Sequence, residues 1–145
     1  MIEQPMLIGG QTAQASNGAT FERRNPLDGS VATRAPAATA ADAVRAVEAA
    51  QAAFPAWAAV GPTQRRQMLM KASQALAAKA DAFAAAMAAE TGASGIWAGF
   101  NVHLSANMLL EAAALTTQIN GQVIPSDVPG SMAMAVRQPA GVVLG

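Results

Sequence analysis

Apolar and polar positions divide the 145-residue chain into three zones. Over residues 1–37 the apolar runs are short and punctuated by turn residues. Met6-Leu7-Ile8 ends at Gly9-Gly10, a pair that suits a tight hairpin. Ser16-Asn17-Gly18 is a second turn signal, and Thr20 to Arg24 then reads as a strand with polar residues outward. In Asn25-Pro26-Leu27-Asp28-Gly29 the proline pre-sets φ and the glycine tolerates φ > 0, which predicts a turn. Ser30 to Arg34 follows as a strand stopped by Pro36. Arg23 and Arg24 point to opposite faces of their strand, which predicts a solvated edge rather than an anion site.

Residues 39–120 carry helical spacing. Thr39 and Asp42 make a capping box with Asp in the usual Glu position. Ala43, Val47, Ala50, Phe54 and Trp57 step by four, three, four and three along one helix face. Pro55 is expected to break or kink that helix just after Phe54. Gly61-Pro62 opens a second helix with Leu69, Ala72, Leu76, Ala80, Phe83 and Met87 as its buried stripe. Thr91-Gly92 supplies the stop. A third helix is expected from about Ser94 to Ile119, closed by Asn120-Gly121.

From residue 121 the pattern returns to strand. Gln122-Val123-Ile124, a turn at Asp127 to Gly130, and Met132 to Val136 follow in order. Val142-Val143-Leu144 begins a continuous apolar run of the kind found in strands buried on both faces.

Composition changes this picture in three ways. Alanine is about a quarter of the chain, so the 52% hydrophobic fraction overstates the core, because alanine favours helix but buries little area. There is no cysteine and one histidine, which excludes disulfides and thiol nucleophiles on this chain and disfavours a histidine metal site. Nine basic and nine acidic residues leave no basic footprint for a nucleic acid. No secretory signal and no membrane-spanning run is read, so the expected compartment is the cytoplasm.

Little catalytic chemistry is visible. His103 and Ser105 are two apart and do not face each other on a helix, whereas His103 can meet Asn107 at i+4. Glu90 and Glu111 are too far apart in sequence to pair except through tertiary folding. Gly141 and Gly145 lack the third glycine, helix and acid of a dinucleotide fingerprint. Trp97, Phe100, Asn101 and Leu104 fall on one helical stripe at i, i+3, i+4 and i+7. Core packing is one reading of that stripe. The other is the wall of an aromatic substrate pocket, favoured by Asn101 within the stripe and by Gly95 and Gly99 beside it.

Several segments resemble the N-terminal part of aldehyde dehydrogenases. These are Asn25 to Gly29, Ala49 to Trp57 with its Phe-Pro-Ala-Trp ending, Arg65 to Leu69, Ala89 to Gly92, and Val136 to Val143. Trp97 to His103 and Val123 to Gly130 are similar to the salicylaldehyde and vanillin dehydrogenase branch. The resemblance implies an α/β fold: short N-terminal strands, a helical middle, oligomerisation strands and the first strand of a Rossmann-like sheet. It divides the chain into an N-terminal part of the cofactor-binding domain (1–120), arm strands (121–138) and a truncated first sheet strand (139–145).

The activity implied is NAD- or NADP-dependent oxidation of an aromatic aldehyde, such as salicylaldehyde or vanillin, to the acid. In such enzymes a cysteine thiolate attacks the aldehyde, an asparagine and a backbone N–H hold the oxyanion, and a glutamate activates water. The resemblance puts those groups beyond Gly145, so the chain is expected to be about the first third of such an enzyme, inactive alone and a poor binder of the dinucleotide. Trp97, Phe100, Asn101 and Leu104 would line the substrate tunnel, and the strands within 122–137 would join subunits into a homo-oligomer. A short helical, oligomerising protein without catalysis is the alternative.

Overall fold

A computed structural model describes all 145 residues. The N-terminal zone forms β1 (Ile2–Glu3), β2 (Met6–Ile8), β3 (Gln11–Ala13), β4 (Thr20–Arg24) and β5 (Val31–Pro36). β2 and β3 make the expected hairpin, with Gly9 and Gly10 at φ 60° and 80°. Positive φ at both central residues is what lets a two-residue turn match the twist of its strands. β5 is the centre of a three-stranded sheet, parallel to β1 and antiparallel to β4. It is the one strand with buried residues, Ala32, Thr33 and Pro36. β4 is the solvated edge the sequence predicts. There Glu22 accepts from Arg24 at 2.6 Å and from Arg34 at 2.9 Å, which, with Arg34 foremost, holds its carboxyl below the usual range.

α1 (Ala40–Ala58) starts at the predicted capping box. The Asp42 carboxylate accepts from the Thr39 N–H at 2.9 Å, the Ser16 N–H at 3.1 Å and Arg45 Nη2 at 2.7 Å. Asp42 is the largest fully buried side chain. The N–H donors of Thr39 and then Ser16 hold its carboxyl far below its ordinary value, with Arg45 assisting. A carboxyl lowered on folding adds stability that is complete above the unfolded value of about 3.9 and is lost as pH falls below it. Asp42→Asn should therefore lower the unfolding midpoint at neutral pH, and its gap to the parent should narrow steadily on acidification. A gap independent of pH, in paired thermal melts, would assign the loss to shape rather than charge.

Two helix boundaries differ from the sequence expectation. α1 does not stop after Phe54 but runs through Pro55 to Ala58. Proline forfeits one N–H to the preceding turn, and here only three helical residues follow it. The carbonyls at this end gain a donor from the next helix: Arg65 Nη2 reaches Trp57 O at 3.3 Å and Val60 O at 3.1 Å, its guanidinium 5.2 Å from the centre of the Trp57 ring. The single helix expected between Pro62 and Thr91 is two, α2 (Pro62–Ala77) and α3 (Ala80–Thr91). Lys79, between them, leaves helical geometry at φ −107° and ψ 18° although no glycine or proline is present. The bend lets both pieces pack on α4 (Gly95–Leu115), so tertiary contact overrides local propensity. The expected stripe is only partly covered: Leu69, Leu76, Ala80 and Met87 are half-buried, while Ala72 and Phe83 are exposed.

The helical core lies along α4. Its inward positions are Ala98, Val102, Ala106 and Ala113, and α2 is close enough for Ser73 Oγ to donate to Ala106 O at 2.8 Å. So short a side chain reaches a mid-helix carbonyl only because small residues let the two helices approach. α3 ends at Gly92 in the left-handed region, φ 69°, and Glu90 ties it to the sheet by accepting from Thr33 Oγ1 at 2.6 Å.

After a single 3-10 turn (Thr116–Gln118), β6 (Gln122–Ile124) and β7 (Ala133–Ala135) pair as an antiparallel hairpin. The expected strand at Val142–Leu144 has not formed, because no other segment of these residues pairs with it. A strand satisfies its backbone only through a neighbour. None of the helices is long and apolar enough to cross a membrane.

Candidate functional site

α4 carries apolar residues on two faces, separated on one side by the exposed polar row of His103, Asn107 and Glu111. Its inner face meets α2 and α3. The opposite face carries the stripe of Trp97, Phe100, Asn101 and Leu104. Within these 145 residues the stripe is not core: Trp97 and Phe100 are 57% and 50% exposed, Leu104 is exposed and Asn101 half-buried. Within these residues it is the alanine side of the helix, not the stripe, that packs on its neighbours. Packing on α2 and α3 selects the alanine side, because small side chains allow the closer approach.

The local build explains the order of the stripe. Ser94 caps α4 by accepting from the Trp97 N–H at 3.3 Å, which fixes Trp97 in the first turn. Phe100 lies one turn on, and the two rings stack with centroids 5.5 Å apart and planes inclined by 24°. Asn101 Nδ2 donates to Trp97 O at 2.8 Å. Leu104 continues the line, and so does exposed Met108 one turn further. Met108 escapes the four-residue sequence pattern, although the i+4 step from Leu104 carries the signal.

The remaining polar candidates are placed elsewhere. His103 Nε2 and Asn107 Nδ2 are 2.9 Å apart, the i+4 pair the spacing predicts. Glu90 is engaged by Thr33 and lies 3.7 Å from Arg23 Nε. No three histidine, aspartate or glutamate side chains converge as metal ligands. A cleft of about 680 Å³ lies between the end of the helical zone and the β6–β7 hairpin, lined by Gln118, Asn120 and Arg137 among others. Another of about 280 Å³ opens beside Glu3 and Arg34. Neither includes the aromatic stripe.

A dinucleotide needs free N–H groups at a helix N-terminus that follows a strand. The one strand-to-helix junction is β5 to α1, with Ala37, Ala38 and Thr39 between. Its positive end is already filled by the Asp42 carboxylate and the Thr39 hydroxyl. These residues do not fit the pyrophosphate.

Comparison with known proteins adds a frame. A model of the aldehyde dehydrogenase family matches residues 13–145. The chain is 61% identical over all 145 residues to a vanillin dehydrogenase of Pseudomonas fluorescens and covers 30% of that protein. It is 45% identical over 143 residues to a salicylaldehyde dehydrogenase of Pseudomonas putida, covering 99% of this chain and 30% of that one. A crystal structure of a salicylaldehyde dehydrogenase from Pseudomonas putida G7, complexed with salicylaldehyde, superposes with a TM-score of 0.93 at 42% identity. That match covers 96% of this chain and 29% of the other. The chain thus spans about 30% of the length of the curated relatives it matches.

Proposed function

Because the chain belongs to the aldehyde dehydrogenase family, we propose that it forms the N-terminal part of a cytoplasmic, NAD- or NADP-dependent enzyme that oxidises an aromatic aldehyde to its acid. The observation that carries this reading is the 61% identity to a vanillin dehydrogenase, unbroken in coverage across all 145 residues. The exposed Trp97–Phe100 stack supports it, since a flat aromatic substrate gains most from a flat aromatic wall.

In this reading α4 supplies shape and leaves the bond-making to residues outside this segment. Trp97, Phe100, Asn101 and Leu104 wall the substrate site. The nucleophilic thiol is not among these residues, which contain no cysteine, and the dinucleotide sits on other parts of the enzyme. The 145 residues alone turn over no aldehyde. The β6–β7 hairpin joins subunits; its apolar side chains Val123, Met132 and Met134 are exposed, and each strand has one partner, so each offers a free edge.

A segment exchange tests the assignment. These 145 residues should replace the matching segment of the Pseudomonas fluorescens vanillin dehydrogenase with vanillin oxidation kept within about tenfold of the parent, roughly 1.4 kcal/mol in the barrier. A folded, oligomeric chimera that binds the dinucleotide but oxidises no aromatic aldehyde would sink it.

A further inference from the structure

Asn101 is an unexpected residue for its position. Asparagine is a poor helix former, because its amide competes with the backbone for hydrogen bonds. Here it stands inside a 21-residue helix, between Trp97 and Leu104 on the apolar outer stripe. Neither role that usually retains asparagine in a protein applies. It is not at a cap, since Ser94 and Thr116 hold those positions, and it is not in a turn. Its one hydrogen bond runs back to its own helix: Nδ2 donates to Trp97 O at 2.8 Å. An amide has two N–H donors and an oxygen with two lone pairs. The bond to Trp97 uses one donor and orients the group, leaving Oδ1 as an acceptor beside the aromatic stack.

We infer that Asn101 is a specificity-determining residue for aldehydes that carry a hydroxyl on the aromatic ring, with Oδ1 accepting the hydrogen bond from that hydroxyl. The inference rests on the pocket-wall reading of the stripe proposed above, and assigns one residue of that wall a role toward the ring hydroxyl. Three features converge on it. Of the neighbours, Phe100 and Leu104 offer only apolar or π contact and Trp97 adds an indole N–H that can only donate, so Asn101 is the one side chain of the four that can accept a hydrogen bond from a hydroxyl. Its orientation is set by the helix before any ligand arrives, so little rotamer freedom is lost on binding. A site that hydrogen-bonds a substrate hydroxyl discriminates against the analogue lacking it, because the buried polar group is then left unpaired.

The test uses an active enzyme carrying this segment and three probes: 4-hydroxybenzaldehyde, 4-methoxybenzaldehyde and benzaldehyde, with 3-hydroxybenzaldehyde and salicylaldehyde as the meta- and ortho-hydroxyl counterparts. Asn101→Leu keeps the branched shape and removes the acceptor; Asn101→Ala removes both. Each should lower kcat/KM for a hydroxylated aldehyde about tenfold relative to benzaldehyde. The methoxy compound, which has no donor, should follow benzaldehyde. The response of 3-hydroxybenzaldehyde against the para compound reports which ring position faces the amide, since the ortho hydroxyl of salicylaldehyde is also bonded to its own aldehyde oxygen. Loss of kcat/KM for all probes alike would assign Asn101 a structural role and overturn the inference; so would no change for any. The pocket-wall reading fails separately, through the response of Trp97 and Phe100 variants to aromatic and aliphatic substrates.

Discussion

Truncating both Trp97 and Phe100 to alanine, in an active enzyme carrying this segment, should lower kcat/KM for benzaldehyde by about 30- to 150-fold, some 2–3 kcal/mol of lost ring contact. Catalysis of a short aliphatic aldehyde should change far less, since such a substrate has no flat face to present. The two side chains already stack on each other, so the single variants will not sum to the double: removing Phe100 also frees Trp97 to rotate. Stability is the internal control. Both rings are about half exposed within these residues, so their truncation opens no cavity between α4 and α2. Equal losses for aromatic and aliphatic aldehydes would remove the pocket-wall assignment, because a wall that selects shape acts on the ratio of the two.

The other large effect lies on the opposite side of the same helix. Ala98→Leu should destabilise the protein by about 1–3 kcal/mol, because Ala98 is 0% exposed and extra methylenes in a packed core force side chains off their rotamers. The close approach marked by the bond from Ser73 to Ala106 leaves little room for α2 to retreat. Denaturant unfolding of parent and variant, read at the midpoint with the slope unchanged, measures the difference. An unshifted midpoint would mean that α2 and α4 slide apart freely, contrary to a helix pair joined by a buried side-chain-to-backbone bond. Together the two predictions reverse the usual expectation: on α4 truncating the large aromatic residues costs activity, whereas enlarging the small alanines costs stability.

That reversal marks the boundary of what the sequence discloses. The Gly9-Gly10 hairpin, the Thr39–Asp42 box, Pro62 at a helix start and Gly92 at a helix end are all legible, because each is a local device with one physical purpose. The four stripe residues are legible as a face, since i, i+3, i+4 and i+7 needs only helical geometry. Which face of α4 turns inward is not, because apolar residues stand both on the alanine side and on the aromatic stripe, so neither face is singled out. The break at Lys79 has no local cause either; it follows from two helices sharing one partner. Ser73 reads as an ordinary polar helix residue until Ala106 is placed beside it, and Arg65 as a surface charge until it meets the last carbonyls of α1. The reach of Asp42 to Ser16, across 26 residues, is likewise invisible in the capping box that announces it.

The bond from Thr33 to Glu90 has a bearing on the order in which the protein assembles. It spans 57 residues, with α1 and α2 formed in between. Contacts of such separation are entropically expensive to close early, whereas each helix can form within its own few turns. β5 can pair with β4 as soon as the intervening turn is made, yet its link to the helical zone waits until α3 has been synthesised and positioned. During that interval Thr33, buried in the finished structure, is open to water. Glu90 therefore joins β5 to α3 through a contact expected to close late, after the β4–β5 pair and the individual helices have formed.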